Sequence, residues 1–263
     1  MPPATPEQLE ILENQRPRLL ERALEEASLW LGSGMIRSKY PETRWLAAFP
    51  DQARITPTLM SEHKRTWSIR IVAGNPYAGI AAAVRRHVRH DPEVHGGPAD
   101  LDWAKRQILA LGSALGSLSV EAMAPLPNGG VRARNYVSWA SKVMLHAWPE
   151  LRIFIWDKNV RTALNTKNGR AMNAAVRRGY AYENLVNECE DDLATLRGGA
   201  DFQEKLRELK RRRGLVLSCV PRVCSMSDQD RNAVVHDFLE RRLHDKYLWL
   251  QANYIDAMHA DRE

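Results

Sequence analysis

The chain has 263 residues, of which 44% are hydrophobic and 27% are charged, so it is long and apolar enough to bury a core. No stretch approaches the ~18 apolar residues that a membrane span needs, and the N-terminal sequence lacks the basic and apolar regions of a secretory signal. The net charge of +6 favours a polyanionic partner, because lysines and arginines placed on phosphates release condensed counterions. The three cysteines have no disulfide-framework spacing, and we expect a cytoplasmic protein without a membrane partner.

Apolar residues recur at helical spacing along nearly the whole chain. Pro17 is expected to break or restart the first helix. The pattern predicts helices over about residues 6–30, 58–73, 76–90, 100–116, 133–148, 158–164, 168–196, 200–213 and 228–258. Residues 153–156 form an apolar run that we expect to be extended but too short to seed a sheet. The chain is therefore predicted to be all-α.

The strongest helix-breaking sequence is the run from Pro125 to Gly130, which contains two prolines and two glycines. We expect a lobe boundary or a functional loop there. The predicted organisation is an N-terminal helical lobe over residues 1–124 and a C-terminal helical region over residues 125–263.

Two clusters of basic residues are candidates for contact with a polyanion. One comprises residues 85–90 and the other lies among residues 205–213. Each cluster is equally compatible with solvated helix ends, where cations are favoured near the C-terminus.

Lys142 is the first candidate for chemistry. It lies roughly opposite the core-facing stripe of the helix predicted over residues 133–148, so its simplest role is that of a solvated lysine. Its side of the helix is not simply polar, however, because Trp139 precedes it by three residues and His146 follows it by four. A partly dry setting of this kind is what a lysine needs in order to act as a nucleophile at neutral pH.

Asp157 is the second candidate. Its position before Lys158 predicts the N-cap of a helix. That structural role does not exclude a functional one, because a capping carboxylate that follows a buried apolar run is held rigidly and can face a cleft.

Residues 139–143, Trp-Ala-Ser-Lys-Val, and residues 153–164, which run from Ile153 through Asp157 to Leu164, resemble the active-site segment of helix-hairpin-helix DNA glycosylases. The closest branch is the one similar to 8-oxoguanine glycosylase. In that superfamily a lysine is followed by an apolar extended run and by a catalytic aspartate that caps the next helix. The resemblance implies a two-lobed all-α fold with a cleft between the lobes, and catalytic roles for Lys142 and Asp157.

A glycosylase must flip its target nucleotide out of the duplex, and cleavage of the glycosidic bond develops positive charge on the sugar. The resemblance implies that Asp157 stabilises this charge and that Lys142 attacks C1′, with strand-cleaving lyase activity, or acts only electrostatically and leaves an abasic site. We expect DNA as the partner and no metal, nucleotide or other cofactor. Further candidates for contact with substrate or DNA are Trp139, Trp156, His146, Arg132, Arg134 and Arg161.

The sequence differs from the family at two points. A Leu-Pro-Gly-Val-Gly-like hairpin does not directly precede Lys142, and Trp156 stands where the family commonly has Pro-Val. These differences favour a specialised target, such as glucosylated hydroxymethylcytosine in phage DNA, in an antiviral role. The alternatives are a repair glycosylase for oxidised purines, a non-catalytic helical DNA-binding protein and a protein-interaction scaffold.

Overall fold

The computed structural model describes residues 5–32, 42–67, 69, 76–89, 99–120, 136–170 and 181–260, and every regular element in these ranges is a helix. The α-helices are α1 (Pro6–Asn14), α2 (Arg16–Trp30), α3 (Glu42–Ala48), α4 (Pro57–Thr66), α5 (Tyr77–His87), α6 (Ala99–Val120), α7 (Val137–Ala147), α8 (Lys158–Lys167), α9 (Tyr182–Arg197), α10 (Ala200–Ser218), α11 (Pro221–Cys224) and α12 (Asp228–Ala260). A 3-10 helix at Gln52–Arg54 lies between α3 and α4. The all-α prediction is confirmed for this part of the chain.

The first predicted helix is divided in two, as expected from Pro17. The break falls at Gln15, and Pro17 occupies the first turn of α2, where a proline is tolerated. Thr5 begins α1 with a capping box, in which its side chain and that of Gln8 each accept the other's backbone N–H.

A helix beginning at residue 168 was predicted, and this boundary is wrong. The preceding helix, α8, continues to Lys167 and is followed by Gly169, whose φ of +63° lies in the left-handed region. Glycine adopts this conformation without strain and commonly terminates helices. Residues 171–180 lie outside the described residues, and α9 begins at Tyr182.

Three short helices have no counterpart in the sequence prediction, namely α3, the 3-10 helix and α11. Each is shorter than the window over which a helical period becomes recognisable, and such helices depend on tertiary packing. Packing is evident in α3, where Trp45 and Leu46 are fully buried.

The 33-residue helix α12 packs against α2, α8 and α10. One continuous hydrophobic core runs from Leu19 to Ala252 and takes residues from both predicted lobes. The loop from Pro125 to Gly130, where the lobe boundary was predicted, lies outside the described residues. Among the described helices, none combines the length and the apolar character needed to cross a membrane.

The chain between Pro149 and Asp157 is not helical, and Pro149 and the residues from Ile153 to Ile155 are buried, so their backbone groups need partners elsewhere. The guanidinium of Arg241, which is 2% exposed, donates to the carbonyls of Pro149 at 2.8 Å and Ile153 at 3.0 Å. The hydroxyl of Tyr182 donates to the carbonyl of Phe154 at 2.7 Å. The predicted extended run is thus fixed by side chains from α9 and α12.

Replacement of Tyr182 by Phe removes the donor to Phe154 and leaves a buried carbonyl unpaired. We expect the free energy of unfolding to fall by about 1–3 kcal/mol, measured by urea denaturation. The half-buried Tyr254 provides the control, and its replacement by Phe is expected to cost less than about 0.5 kcal/mol. Equal effects of the two substitutions would contradict this role of Tyr182.

Candidate active site

The structure brings Lys142 and Asp157 together. Lys142 Nζ lies 3.4 Å from Asp157 Oδ2 and 3.3 Å from the hydroxyl oxygen of Ser138. Asp157 Oδ1 accepts the backbone N–H of Asn159 at 2.9 Å, so the predicted N-cap of α8 is confirmed. One carboxylate therefore caps a helix with one oxygen and faces the lysine with the other.

Lys142 is not a solvated lysine. Its side chain is 6% exposed, and its ammonium lies 4.7 Å from the ring centre of Trp67. Its side of α7 is covered because the segment that follows α4 and the run before Asp157 both pack there. Burial of an ammonium is costly unless it is paired, and the carboxylate of Asp157 and the indole face of Trp67 offset that cost.

Ser141 sets the register between α7 and the apolar run. Its hydroxyl donates to the carbonyl of Ser138 at 3.1 Å and accepts the backbone N–H of Trp156 at 3.0 Å. These two bonds connect the residue before Lys142 to the residue before Asp157. The separation of the candidate pair is therefore determined by backbone contacts as well as by the ion pair itself.

Lys142 and Asp157 line a cavity of about 380 Å³. Side chains from α2, α4, α7, α12 and the apolar run contribute to it. The lining residues are Glu26, Trp30, Thr66, Trp67, Lys142, Ile155, Asp157, Asp245, Lys246 and Trp249. They come from both sides of the predicted lobe boundary.

One wall of the cavity is aromatic. The rings of Trp30 and Trp67 lie against each other with centres 4.5 Å apart and an angle of 37° between their planes. An ammonium lies over each ring, Lys142 over Trp67 at 4.7 Å and Lys246 over Trp30 at 3.9 Å. Trp249, which is 40% exposed, adds a third indole. Such a wall suits a flat ligand.

The lysine at the other end of this wall, Lys246, is also buried. Burial, together with the charge of Arg242, lowers the pKa of Lys246 to about 8. A substantial fraction of this amine is therefore neutral in mildly alkaline solution.

A chain of hydrogen bonds runs beneath Lys142 and defines the tautomers of two buried histidines. The indole N–H of Trp139 donates to His63 Nδ1 at 2.8 Å, His63 Nε2 lies 3.3 Å from His146 Nδ1, and His146 Nε2 lies 3.2 Å from Glu42 Oε1. An indole can only donate, so each histidine accepts at Nδ1 and donates at Nε2. Burial lowers the pKa of both histidines, consistent with neutral rings.

The chain ends on a buried ion pair. Arg242 contacts both oxygens of Glu42, at 3.1 and 3.2 Å, and donates to Asp245 at 2.7 Å. Burial alone raises the pKa of Glu42, but the charge of Arg242 and the bond from His146 lower it to about 2. Glu42 is thus ionised, and its contribution to stability is lost as the pH falls from 4.5 towards 2.

The remaining candidates from the sequence lie outside the cavity lining. Trp139 and His146 are buried in the layer beneath it. Trp156 is the last residue of the apolar run, and the guanidinium carbon of Arg161 lies 4.7 Å from the centre of its ring. Arg132 and Arg134 lie outside the described residues.

The basic residues of 205–213 are largely paired within the protein. Lys205 binds Glu21, and Arg212 binds Glu25 and Glu208. The guanidinium of Arg213 donates to the carbonyl of Ser28 at 2.7 Å. These contacts attach α10 to α2, which accounts for much of the cluster without a polyanion.

The sequence analysis did not indicate most of the cavity lining. The lining residues that it missed are Glu26, Trp30, Thr66, Trp67, Asp245, Lys246 and Trp249. One signal was available in α12, where Phe238, Arg242 and Lys246 follow each other at intervals of four and share a helix face. Charged residues on the same face as a core phenylalanine indicate buried, paired or functional groups.

Replacement of Glu42 by Gln leaves the buried Arg242 with Asp245 as its one charged partner among the described residues. We expect this substitution to lower the free energy of unfolding by about 3–5 kcal/mol at pH 7. This difference from the parent protein narrows between pH 4.5 and 2, because Glu42 takes up a proton in the unfolded parent chain while it stays ionised in the folded one. The control is Glu13→Gln, which breaks the exposed ion pair with Arg16 and is expected to lower the free energy of unfolding by less than about 1 kcal/mol. If Glu42→Gln loses no more stability than Glu13→Gln, the assignment of Glu42 and Arg242 as a buried ion pair is refuted.

Replacement of Lys246 by Met removes a buried charge. Because the folded-state pKa of Lys246 is lower than its ordinary 10.5, the unfolded chain binds more protons above pH 8, and the charged form opposes folding below it. We expect Lys246→Met to raise the free energy of unfolding by about 1–3 kcal/mol at pH 7, with the gain shrinking between pH 8 and 10. Urea denaturation of the variant and of the parent protein across this pH range measures the difference in their free energies of unfolding. A difference that did not change with pH would exclude titration of Lys246 as its cause.

Comparison of the chain with protein-family models, with curated proteins and with solved structures finds no match. Arguments about function therefore depend on the geometry of the cavity and on the motif resemblance of residues 139–143 and 153–164.

Proposed function

We propose that this protein is a DNA glycosylase that flips a modified base out of the duplex into the cavity and cleaves its N-glycosidic bond. The observation that carries the proposal is the pairing of Lys142 Nζ with Asp157 Oδ2, 3.4 Å apart, on the lining of a cavity with an aromatic wall. A nucleophile and a proton acceptor within reach of each other are what covalent catalysis by an amine requires.

In the proposed reaction Lys142 transfers a proton to Asp157, and the neutral amine attacks C1′ of the flipped nucleotide. The C1′–N bond breaks, its electron pair leaves with the base, and the base takes up the proton that Asp157 accepted from Lys142. The carboxylate regenerated at Asp157 then stabilises the positive charge on the sugar adduct. Ring opening converts the amine adduct to an imine, and loss of a C2′ proton then expels the 3′ phosphate, which gives lyase activity.

The aromatic wall supplies affinity for a flat ligand. Stacking of a base on an aromatic side chain contributes about 1–3 kcal/mol, and Trp30, Trp67 and Trp249 line the cavity. A volume of about 380 Å³ falls within the range of small-molecule sites. These features favour a nucleobase over a ligand without a planar group.

For the substrate we propose a hypermodified base such as the glucosylated hydroxymethylcytosine of phage DNA, which would give the protein an antiviral role. The carboxylates of Glu26 and Asp245 in the cavity lining support this choice, because they can accept hydrogen bonds from sugar hydroxyls. The absence of a family-like hairpin before Lys142 and the presence of Trp156 also favour a specialised target.

Arg161 and the two arginines of the preceding segment, Arg132 and Arg134, are the proposed contacts to the DNA backbone. Arg161 lies in the first turn of α8, directly after Asp157, and is thus close to the position at which a flipped nucleotide would enter.

The test is base release from duplexes that carry glucosylated, alkylated or oxidised bases. We expect release at one modification, reduced at least 100-fold in Asp157→Asn, with DNA binding retained. Asp51→Asn is a matched control, because Asp51 also caps a helix with its side chain but lies outside the cavity lining. An asparagine can still cap either helix, so a loss confined to Asp157 reports on its charge.

Release of an oxidised purine alone would identify a repair enzyme instead. Tight, salt-sensitive binding without release from any duplex, modified phage DNA included, would contradict the glycosylase proposal and favour a non-catalytic DNA-binding protein.

A further inference from the structure

Lys246 is a buried cation to which the proposed chemistry assigns no role. It lies on α12 in the cavity lining and is 6% exposed. Its ammonium contacts the face of Trp30 at 3.9 Å, and within the described part of the chain it makes no hydrogen bond or ion pair. Buried lysines are rarely left without a polar partner.

The nearby charged groups do not supply that partner. Asp245 and Arg242, on the same helix, bind each other at 2.7 Å, and Glu42 of α3 binds Arg242 and His146. Glu26 of α2 is close enough to influence Lys246 electrostatically but does not bind its ammonium. The N–H groups of Lys246 are therefore available to a ligand in the cavity.

The charges of the cavity lining indicate what kind of ligand group this is. Two lysines, Lys142 and Lys246, face three carboxylates, Glu26, Asp157 and Asp245. With all of them ionised the lining has a formal charge of −1, which disfavours a phosphate or carboxylate group. A neutral oxygen acceptor, such as a ring carbonyl, avoids this repulsion and still accepts from an ammonium.

We propose that Lys246 recognises the base by donating a hydrogen bond to a ring carbonyl oxygen while the ring of the base stacks on the Trp30–Trp67 wall. This inference rests on the proposed function in taking the ligand to be a nucleobase, and it adds a requirement for a carbonyl group.

The experiment compares two free bases, hypoxanthine and purine, which share a ring system and differ by the carbonyl at C6 and the N–H that accompanies it at N1. Binding to the full-length protein is followed by tryptophan fluorescence, since three tryptophans line the cavity. We expect hypoxanthine to bind at least 10-fold more tightly than purine. In Lys246→Met this preference is expected to fall below twofold, with the affinity for purine changed by less than threefold.

Two further variants complete the design. Lys246→Arg retains a donor and is expected to keep a preference of at least threefold. Lys210→Met removes an exposed lysine of α10 and is expected to behave as the parent protein. Urea denaturation of each variant establishes that it is folded, so the loss of preference cannot be attributed to unfolding.

Absence of hypoxanthine binding by the parent protein, or a preference that survives in Lys246→Met, would overturn the inference. If base release from DNA occurs but Lys246→Met keeps its preference, the inference alone fails. If no duplex releases a base but the preference disappears in Lys246→Met, the recognition role stands and the glycosylase proposal fails.

Discussion

The segment from Pro149 to Trp156 is not helical, and its buried residues, Pro149 and Ile153 to Ile155, have to find hydrogen-bond partners for their backbone outside the segment. Arg241 and Tyr182 bind carbonyls along the segment, and Ser141 binds the N–H at its end. The next residue is Asp157, whose position is therefore set by three separate elements. A carboxylate held in this way is preorganised, since little rearrangement is needed for it to face Lys142.

The second constraint is the desolvation of charge around the cavity. Lys142 is balanced by Asp157, and Arg242 by Glu42 and Asp245. Beneath them, the two neutral histidines link Trp139 to Glu42, so the layer that supports α7 has a single hydrogen-bonding arrangement. Lys246 is the exception, because no described residue forms a hydrogen bond or ion pair with it, and an unpaired buried charge lowers stability in exchange for a binding group. The cavity thus combines rigid, satisfied polar groups with one amine left available to a ligand.

The sequence predicted the local parts of this arrangement and not the long-range ones. The N-cap at Asp157, the run before it and the helix that carries Lys142 could be recognised because their signals lie within a few residues. The burial of Lys142 could not be recognised in this way, because the ring that covers its ammonium belongs to Trp67, which lies 75 residues earlier in the chain. The same holds for Glu42, which lies in a seven-residue helix with no usable periodicity and meets its partner Arg242 only in the folded protein.

The proposed function requires the amine of Lys142 to be the reacting group of the cavity and Asp157 to be its proton acceptor. Borohydride trapping on a duplex with a single abasic site tests this requirement, because the sugar aldehyde forms an imine with a reactive amine whatever base is the natural target. We expect a covalent complex that peptide mass spectrometry maps to Lys142, that is absent in Lys142→Gln and that forms more slowly in Asp157→Asn. A complex mapped to another lysine, or no complex under conditions in which the DNA is bound, would contradict it.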